Sequence, residues 1–250
     1  MSQLAKLFTA TIAHELKYFS EKTSEILCNH TRSCSDFARN SASATSHLDQ
    51  ELGAGIRNRE SWFTWPDHPP HRDSSEWHAF LDRWNRYWDE NPSIADDFVE
   101  LDRYLCSEDY REIQAALRNK HNAPLSPDHQ ETVDGAVRAL QRVPKFQGSV
   151  VRHVNSLPPE VLERYQKGNT VTEEAFTSTT RNPNGVPIHK VRADVEMRIE
   201  SKTGSDMRYI PLVIKGDDEV LFPPGTRFHV TDRYFDEKSG LTVIKMVEKV

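Results

Sequence analysis

The sequence predicts an α+β domain, with a run of helices first and a mostly antiparallel sheet after it. Three observations predict it. Apolar residues recur at helical spacing as far as Leu140. After Pro144 the period switches to the alternation of half-buried strands. No Gly-x-Gly-x-x-Gly follows any strand candidate, so a doubly wound dinucleotide fold is not expected.

The elements follow in order. Leu4, Leu7, Phe8, Ile12, Leu16, Phe19, Ile26 and Leu27 place a helix over 4–28. The stretch 29–46 is polar and rich in Ser, Thr, Asn and Ala, which fits a linker or a weak helix equally. Gly53, Gly55 and the prolines from Pro66 to Pro70 interrupt regular structure. Ser74 then reads as a helix cap, and Trp77, Phe80, Leu81, Trp84 and Trp88 form a buried aromatic face. Helices are expected over 94–106 and 108–119, and another opens at Ser126-Pro127-Asp128.

In the second half, Ser149–Val154 reads as a short strand. A short helix follows, with Pro158 and Pro159 at its start and Gly168 past its end. Strands are expected at Ala175–Thr180 and over the alternating Val191, Ala193, Val195, Met197 and Ile199. Leu212–Ile214, Glu219–Phe222, Thr226–Thr231 and Leu241–Val247 complete the set, with Asp236–Gly240 as a hairpin turn. The domain division expected is 1–73 as a helical, partly flexible region and 74–250 as the main domain, its chemistry within 149–230.

Composition narrows the function. A chain of 250 residues holds one sizeable core plus an appendage. The net charge of −6 argues against a broad phosphate-backbone footprint. No run of 18 apolar residues occurs, and the first 19 residues lack the features of a cleaved secretory signal. The expected location is therefore cytoplasmic, or a target cell reached without a cleaved signal, with no membrane partner. Cys28, Cys34 and Cys106 form no C-x-x-C pair, and the histidines are scattered, so neither a disulfide framework nor a metal site is expected.

Three short pieces carry chemistry. Arg152 stands mid-strand among Val150, Val151 and Val154, where a guanidinium needs an anionic partner, whether a structural carboxylate or a bound phosphate. Phe176-Thr177-Ser178-Thr179-Thr180 puts hydroxyls along a strand, as plain β-propensity also would. Asp217-Asp218-Glu219 leads straight into Val220-Leu221-Phe222-Pro223-Pro224-Gly225-Thr226. In an extended chain Asp217 and Glu219 share a side, although an acidic turn before a strand is common.

In this order the three pieces resemble the arginine–serine–glutamate class of mono-ADP-ribosyltransferases, of the bacterial toxin and effector type. The resemblance covers roughly residues 95–250 and includes Leu101-Asp102-Arg103-Tyr104 and the helix from Tyr110 to Arg118. It implies a split fold of two packed sheets with NAD, the substrate, in the cleft and no metal. Arg152 would grip the NAD phosphates, Ser178 would orient Glu219, and Glu219 would stabilise the oxocarbenium-like ribose as nicotinamide leaves. His153, Phe176, Thr179 and Thr180 belong to the NAD-contacting set that the resemblance implies. Asp217 and Tyr209 belong to the acceptor side. Tyr209 fits an exposed aromatic of the acceptor-contacting turn or a buried strand residue.

Three departures from the family pattern bear on the outcome. Asp217 stands where arginine-modifying members carry glutamate, two residues before the catalytic acid. It leaves three readings open: a deeper acceptor guanidinium, a different acceptor such as a nucleic-acid base, or water, which would make an NAD glycohydrolase. His153 stands where many members have glycine, adding a phosphate donor or pointing to the other face. Thr180 replaces a serine and keeps the hydroxyl. The expectation is transfer of ADP-ribose to a macromolecular acceptor, a protein arginine before a nucleic acid, with an inhibitor or antitoxin as a further candidate partner. The alternatives are base modification or a non-catalytic NAD-binding relative. A nucleic-acid channel would draw on Arg181, Lys190, Arg192, Arg208 and Lys215.

Overall fold

A computed structural model describes residues 63–71, 74–119, 124–211 and 218–250, all within the compact unit Trp62–Val250. The expected helix at 4–28, the polar stretch after it and the strand at Leu212–Ile214 lie outside the described residues.

Among the described residues, four helices come first. Ser74 caps α1 (Ser75–Glu90), its hydroxyl accepting the Trp77 N–H at 3.1 Å. Trp77, Phe80, Trp84 and Trp88 are buried along one face. Phe63 packs edge-on and Trp65 tilted against that face, with ring centroids 5.2 Å and 5.0 Å from Trp84. Pro92 opens α2 (Pro92–Cys106), where its missing N–H costs nothing. After α3 (Asp109–Arg118), Ser126 caps α4 (Pro127–Arg142) through the His129 N–H. Buried Asp97 ties α2 to α4 by ion pairs with Arg138 at 2.7 Å and Arg142 at 3.3 Å.

Seven strands follow among the described residues: β1 (Lys145–Val154), β2 (Thr170–Glu173), β3 (Thr177–Thr180), β4 (Val195–Asp206), β5 (Glu219–Phe222), β6 (Thr226–Asp236) and β7 (Leu241–Lys249). They are hydrogen-bonded in the order β1-β3-β5-β4-β7-β6-β2, and β1 also pairs with β4. Every pairing is antiparallel except β4 with β7. The ladder between β1 and β4 runs from Lys145 to Val154, with a bulge between Phe146 and Gly148. By contrast, β1 and β3 share one pair, Val151 with Thr180.

β5 separates two cores. Leu221 enters the helical one, with Phe80, Phe98, Ile113 and Phe176. Val220 and Phe222 enter the other, with Val150, Met197, Ile199, Phe228 and Ile244. This is the period-2 alternation of a strand buried on both faces.

The alternation at Val191–Ile199 extends too far toward the N-terminus. Val191 is 85% exposed, and the strand begins at Val195. Pro187 instead opens a one-turn helix, α6 (Pro187–Lys190), because the Val186 carbonyl collects the N–H groups of His189 and Lys190. The earlier one-turn helix, α5 (Pro159–Leu162), has its two prolines as expected. β2 went unread, since four residues with one buried valine carry almost no periodic signal.

Candidate active site

The β3–β5 ladder sets Thr180 opposite Glu219 and Ser178 opposite Leu221. Ser178 and Glu219 are therefore diagonal neighbours on one face, within side-chain reach. The Ser178 hydroxyl donates to Glu219 Oε1 at 2.5 Å. Arg152, on β1, would fall opposite β3 just past the last paired rung. Instead its side chain crosses the gap, and Nη1 donates to the Ser178 carbonyl at 3.0 Å. The three sequence-selected residues thus form one chain of hydrogen bonds, from Arg152 through Ser178 to Glu219.

They line a cleft of about 390 Å³ together with Val151, His153, Thr179, Thr180, Val186, His189 and Leu221. Its opposite wall comes from Tyr104 and Leu105 of α2 and from Tyr110 and Gln114 of α3. Tyr110 and Gln114 are one helical turn apart, so one face of α3 supplies both. Burial raises the Tyr104 pKa, and the Glu219 carboxylate adds to the rise, so this hydroxyl stays protonated. Burial lowers the Arg152 pKa and the Glu173 carboxylate opposes that, while the guanidinium stays charged because arginine titrates far above neutrality.

Other expected contacts are differently placed. Phe176 is 1% exposed and sits behind the cleft, its ring 4.2 Å from that of Tyr104. Its carbonyl accepts from Gln114 Nε2 at 3.0 Å, so Phe176 supports the wall and does not face the cleft. His153 also borders the cleft, but its side chain is buried on the face of β1 opposite to that of Arg152, with Nε2 3.1 Å from Glu196 Oε2. It takes the second of its two expected orientations, because successive strand residues alternate faces and Arg152 already faces the gap. Gly185 presses on that ring: a Cβ there would lie 2.1 Å from His153 Cε1, and φ is +73°. Thr179 and Thr180 are buried; Thr179 donates to the Val220 carbonyl at 2.7 Å, and Thr180 Oγ1 accepts the Asn182 N–H.

Tyr209 is 6% exposed, in a 3₁₀ turn, and therefore a packed residue and not an exposed aromatic. Its hydroxyl donates to the Asp67 carbonyl at 3.0 Å and its ring meets Trp65 edge-on. A tyrosine whose O–H finds a partner can be buried whole, which sequence alone did not resolve. Asp217 and Lys215 lie outside the described residues. Of the other cations suggested for a channel, Arg208 makes a two-pronged contact to Asp206 at 2.9 Å and 2.6 Å. Arg181 lies against the Phe146 ring, 3.8 Å from Asp206. Lys190 and Arg192 are exposed. Among the described residues no cluster of metal-ligating side chains exists, and no helix is long and apolar enough to cross a membrane.

Sequence reasoning did not single out Gln114 in the cleft wall, nor Tyr165, Glu173 and Glu196, which act on Arg152 or His153 without lining the cleft. The spacing of Tyr110 and Gln114 was the one readable signal; the rest depend on how strands pair.

No protein-family model matches the chain. A relative from Mycobacterium avium, named as a provisional NAD(+)–arginine ADP-ribosyltransferase, Mav, is 35% identical over 159 residues, 64% of this chain and 18% of that protein. The NAD(+)–protein-arginine ADP-ribosyltransferase Tre1 of Pseudomonas putida is 33% identical over 141 residues, 56% of this chain and 27% of that protein. The chain thus aligns with less than a third of the length of either relative. Among solved structures, the type III effector XopAI of Xanthomonas axonopodis pv. citri superposes with a TM-score of 0.53 at 26% identity, over 70% of this chain and 73% of that one.

Proposed function

We propose that this chain, which belongs to the bacterial mono-ADP-ribosyltransferases, splits NAD at its nicotinamide–ribose bond and transfers ADP-ribose to a protein arginine. The observation that carries the reading is the hydrogen-bonded series from Arg152 through Ser178 to Glu219 inside one cleft. The names of Mav and Tre1 support the acceptor, since both are arginine transferases by name.

The chemistry follows from charge. Arg152 presents a planar donor fork to the diphosphate of NAD. The bond between ribose C1′ and the nicotinamide nitrogen breaks, and its electron pair leaves with nicotinamide. The ribose is left with oxocarbenium character beside the Glu219 carboxylate. Because that positive charge develops only along the reaction, the carboxylate stabilises the transition state more than bound NAD. The Ser178 hydroxyl occupies one carboxylate oxygen and fixes its direction. A guanidine nitrogen of the acceptor then bonds to C1′ and gives up a proton. NAD and arginine thereby yield ADP-ribosyl-arginine, nicotinamide and one proton. Asp217, two residues before Glu219, is the acid we assign to reading the acceptor.

By this reading the protein is a toxin or effector that acts inside a target cell, and an inhibitory partner would cover the cleft in the producing cell. The test incubates the protein with NAD labelled in its adenylate half and a mixed lysate, then treats the products separately with protease and with nuclease. We expect nicotinamide release and label that only protease sets free. Glu219→Ala abolishes the release, and Asp217→Glu shifts the ratio of transfer to hydrolysis. Equal release by wild type and Glu219→Ala would refute the assignment. Label freed by nuclease moves the acceptor to a base, and release without labelled macromolecules makes the protein a glycohydrolase.

A further inference from the structure

Arg152 is held in an unusual way. A guanidinium among apolar strand residues ordinarily takes a carboxylate directly, in a two-pronged pair. Here the hydrogen bond from its guanidinium goes to a neutral carbonyl, that of Ser178, at 3.0 Å. Among the described residues no carboxylate lies within ion-pair distance of it, although Asp97 and Asp206 are paired with arginines at 2.6–3.3 Å. The opposing charge that acts on it most is Glu173, at the end of β2. Glu173 makes no ion pair with Arg152, and its Oε1 accepts the hydroxyl of Tyr165. Tyr165 is itself 4% exposed and fixed in the core beside Val171 and Phe228, so it cannot follow the carboxylate. The Glu173 backbone is held as well: its carbonyl accepts the Gly225 N–H at 2.7 Å.

We propose that Tyr165 and Glu173 are a positioning pair for Arg152: Tyr165 holds the Glu173 carboxylate back, so that the charge of Arg152 is balanced while its donors stay open for the NAD diphosphate. A carboxylate in direct contact would occupy the same fork that the phosphates need, and NAD would have to displace it. A site with no carboxylate at all would leave a half-buried cation uncompensated. The tyrosine hydroxyl resolves the conflict by giving the carboxylate a better partner than the arginine. Burial and the neighbouring carboxylate raise the Tyr165 pKa, which keeps that hydroxyl a donor across the working range.

The inference rests on the reading that NAD occupies this cleft. Its test is the equilibrium affinity for NAD, by titration calorimetry, with kcat and KM for nicotinamide release measured alongside. Tyr165→Phe keeps the ring and removes the hydroxyl. It frees Glu173 to pair with Arg152 and should weaken NAD binding about five- to tenfold. The change falls on KM, with kcat within about twofold of wild type. Glu173→Gln alone should leave the affinity equal or tighter. The double variant should recover the wild-type affinity, which a merely structural role for Tyr165 would not produce. Unchanged affinity in Tyr165→Phe, or a loss that persists in the double variant, overturns the proposal. Should Tyr165→Phe fail to fold by thermal unfolding, Glu173→Gln decides by itself, and a loss beyond about threefold is the contrary result. A wild type that neither binds NAD nor releases nicotinamide ends the functional reading and this inference together. A wild type that does both, with Tyr165→Phe unaltered, ends the inference alone.

Discussion

The Ser178 hydroxyl lies 2.5 Å from Glu219 Oε1 because the β3–β5 register makes the two residues diagonal neighbours on one face. The hydrogen bond is to a charged acceptor, and removing it should lower kcat for nicotinamide release by about tenfold to a hundredfold. Ser178→Ala should leave the melting temperature nearly unchanged, since the side chain is exposed. Glu219→Gln should cost more, on the order of 10²- to 10³-fold in kcat, because it removes the charge itself. Steady-state kinetics on both variants give the ranking, and a smaller loss in Glu219→Gln than in Ser178→Ala would contradict the assigned roles.

Arg152 crosses the gap between β1 and β3 with a planar fork. Lysine preserves the charge but not the fork, so Arg152→Lys should raise KM for NAD by about tenfold or more with a smaller change in kcat. Isothermal titration with NAD checks the effect independently of turnover. Equal affinity for the two proteins would show that the fork geometry is not used.

Phe176 supports the wall of the cleft from behind. It is 1% exposed, stacks at 4.2 Å on Tyr104 and lies in the helical core. Phe176→Ala should destabilise the domain by roughly 3–5 kcal/mol through lost burial and the cavity left behind. The urea midpoint reports the loss. Phe176→Leu should retain most of the stability, and kcat should fall more than KM rises if Tyr104 loses its seat.

Glu196 links the far side of the Arg152 strand to β4. Burial acts to raise its pKa, but hydrogen bonds from Arg198 at 2.6 Å and His153 at 3.1 Å outweigh that and hold it below its ordinary value of 4.5. A depressed carboxylate contributes stability that is present above its unfolded pKa and lost as pH falls through the folded one. The domain should therefore lose stability as pH drops below 4.5. Glu196→Gln should remove that part of the slope and cost about 1–3 kcal/mol at neutral pH. Chemical denaturation at pH 7 and at pH 4 distinguishes the two terms.

Much of this was legible in the sequence, and the reasons differ by element. The cap at Ser74 and the tryptophan face of α1 follow from local chemistry alone, and they stand where expected. Arg152, Ser178 and Glu219 were singled out by the ordered resemblance of their three motifs to a known family; taken one at a time, each pattern fits an ordinary strand or turn. What the sequence does not encode locally is the partner of each strand. His153 and Arg152 are adjacent in the chain, yet His153 is buried against Glu196 while Arg152 reaches across to β3, and only the strand pairing decides which. Tyr209 is buried by Trp65 and Asp67, 142 residues away in the case of Asp67, so no local pattern marks it. Val191 alternates like a strand residue, but Pro187 starts a helical turn first.

The pair Val151–Thr180 is the last rung that β1 shares with β3. One more rung would satisfy two more backbone groups and make the sheet firmer there, and it would also close the space that Arg152 spans. The protein therefore withholds a stabilising interaction at the place proposed here for NAD. A variant selected for heat resistance alone would be drawn toward zipping this seam, and its gain in melting temperature would come with a shut cleft.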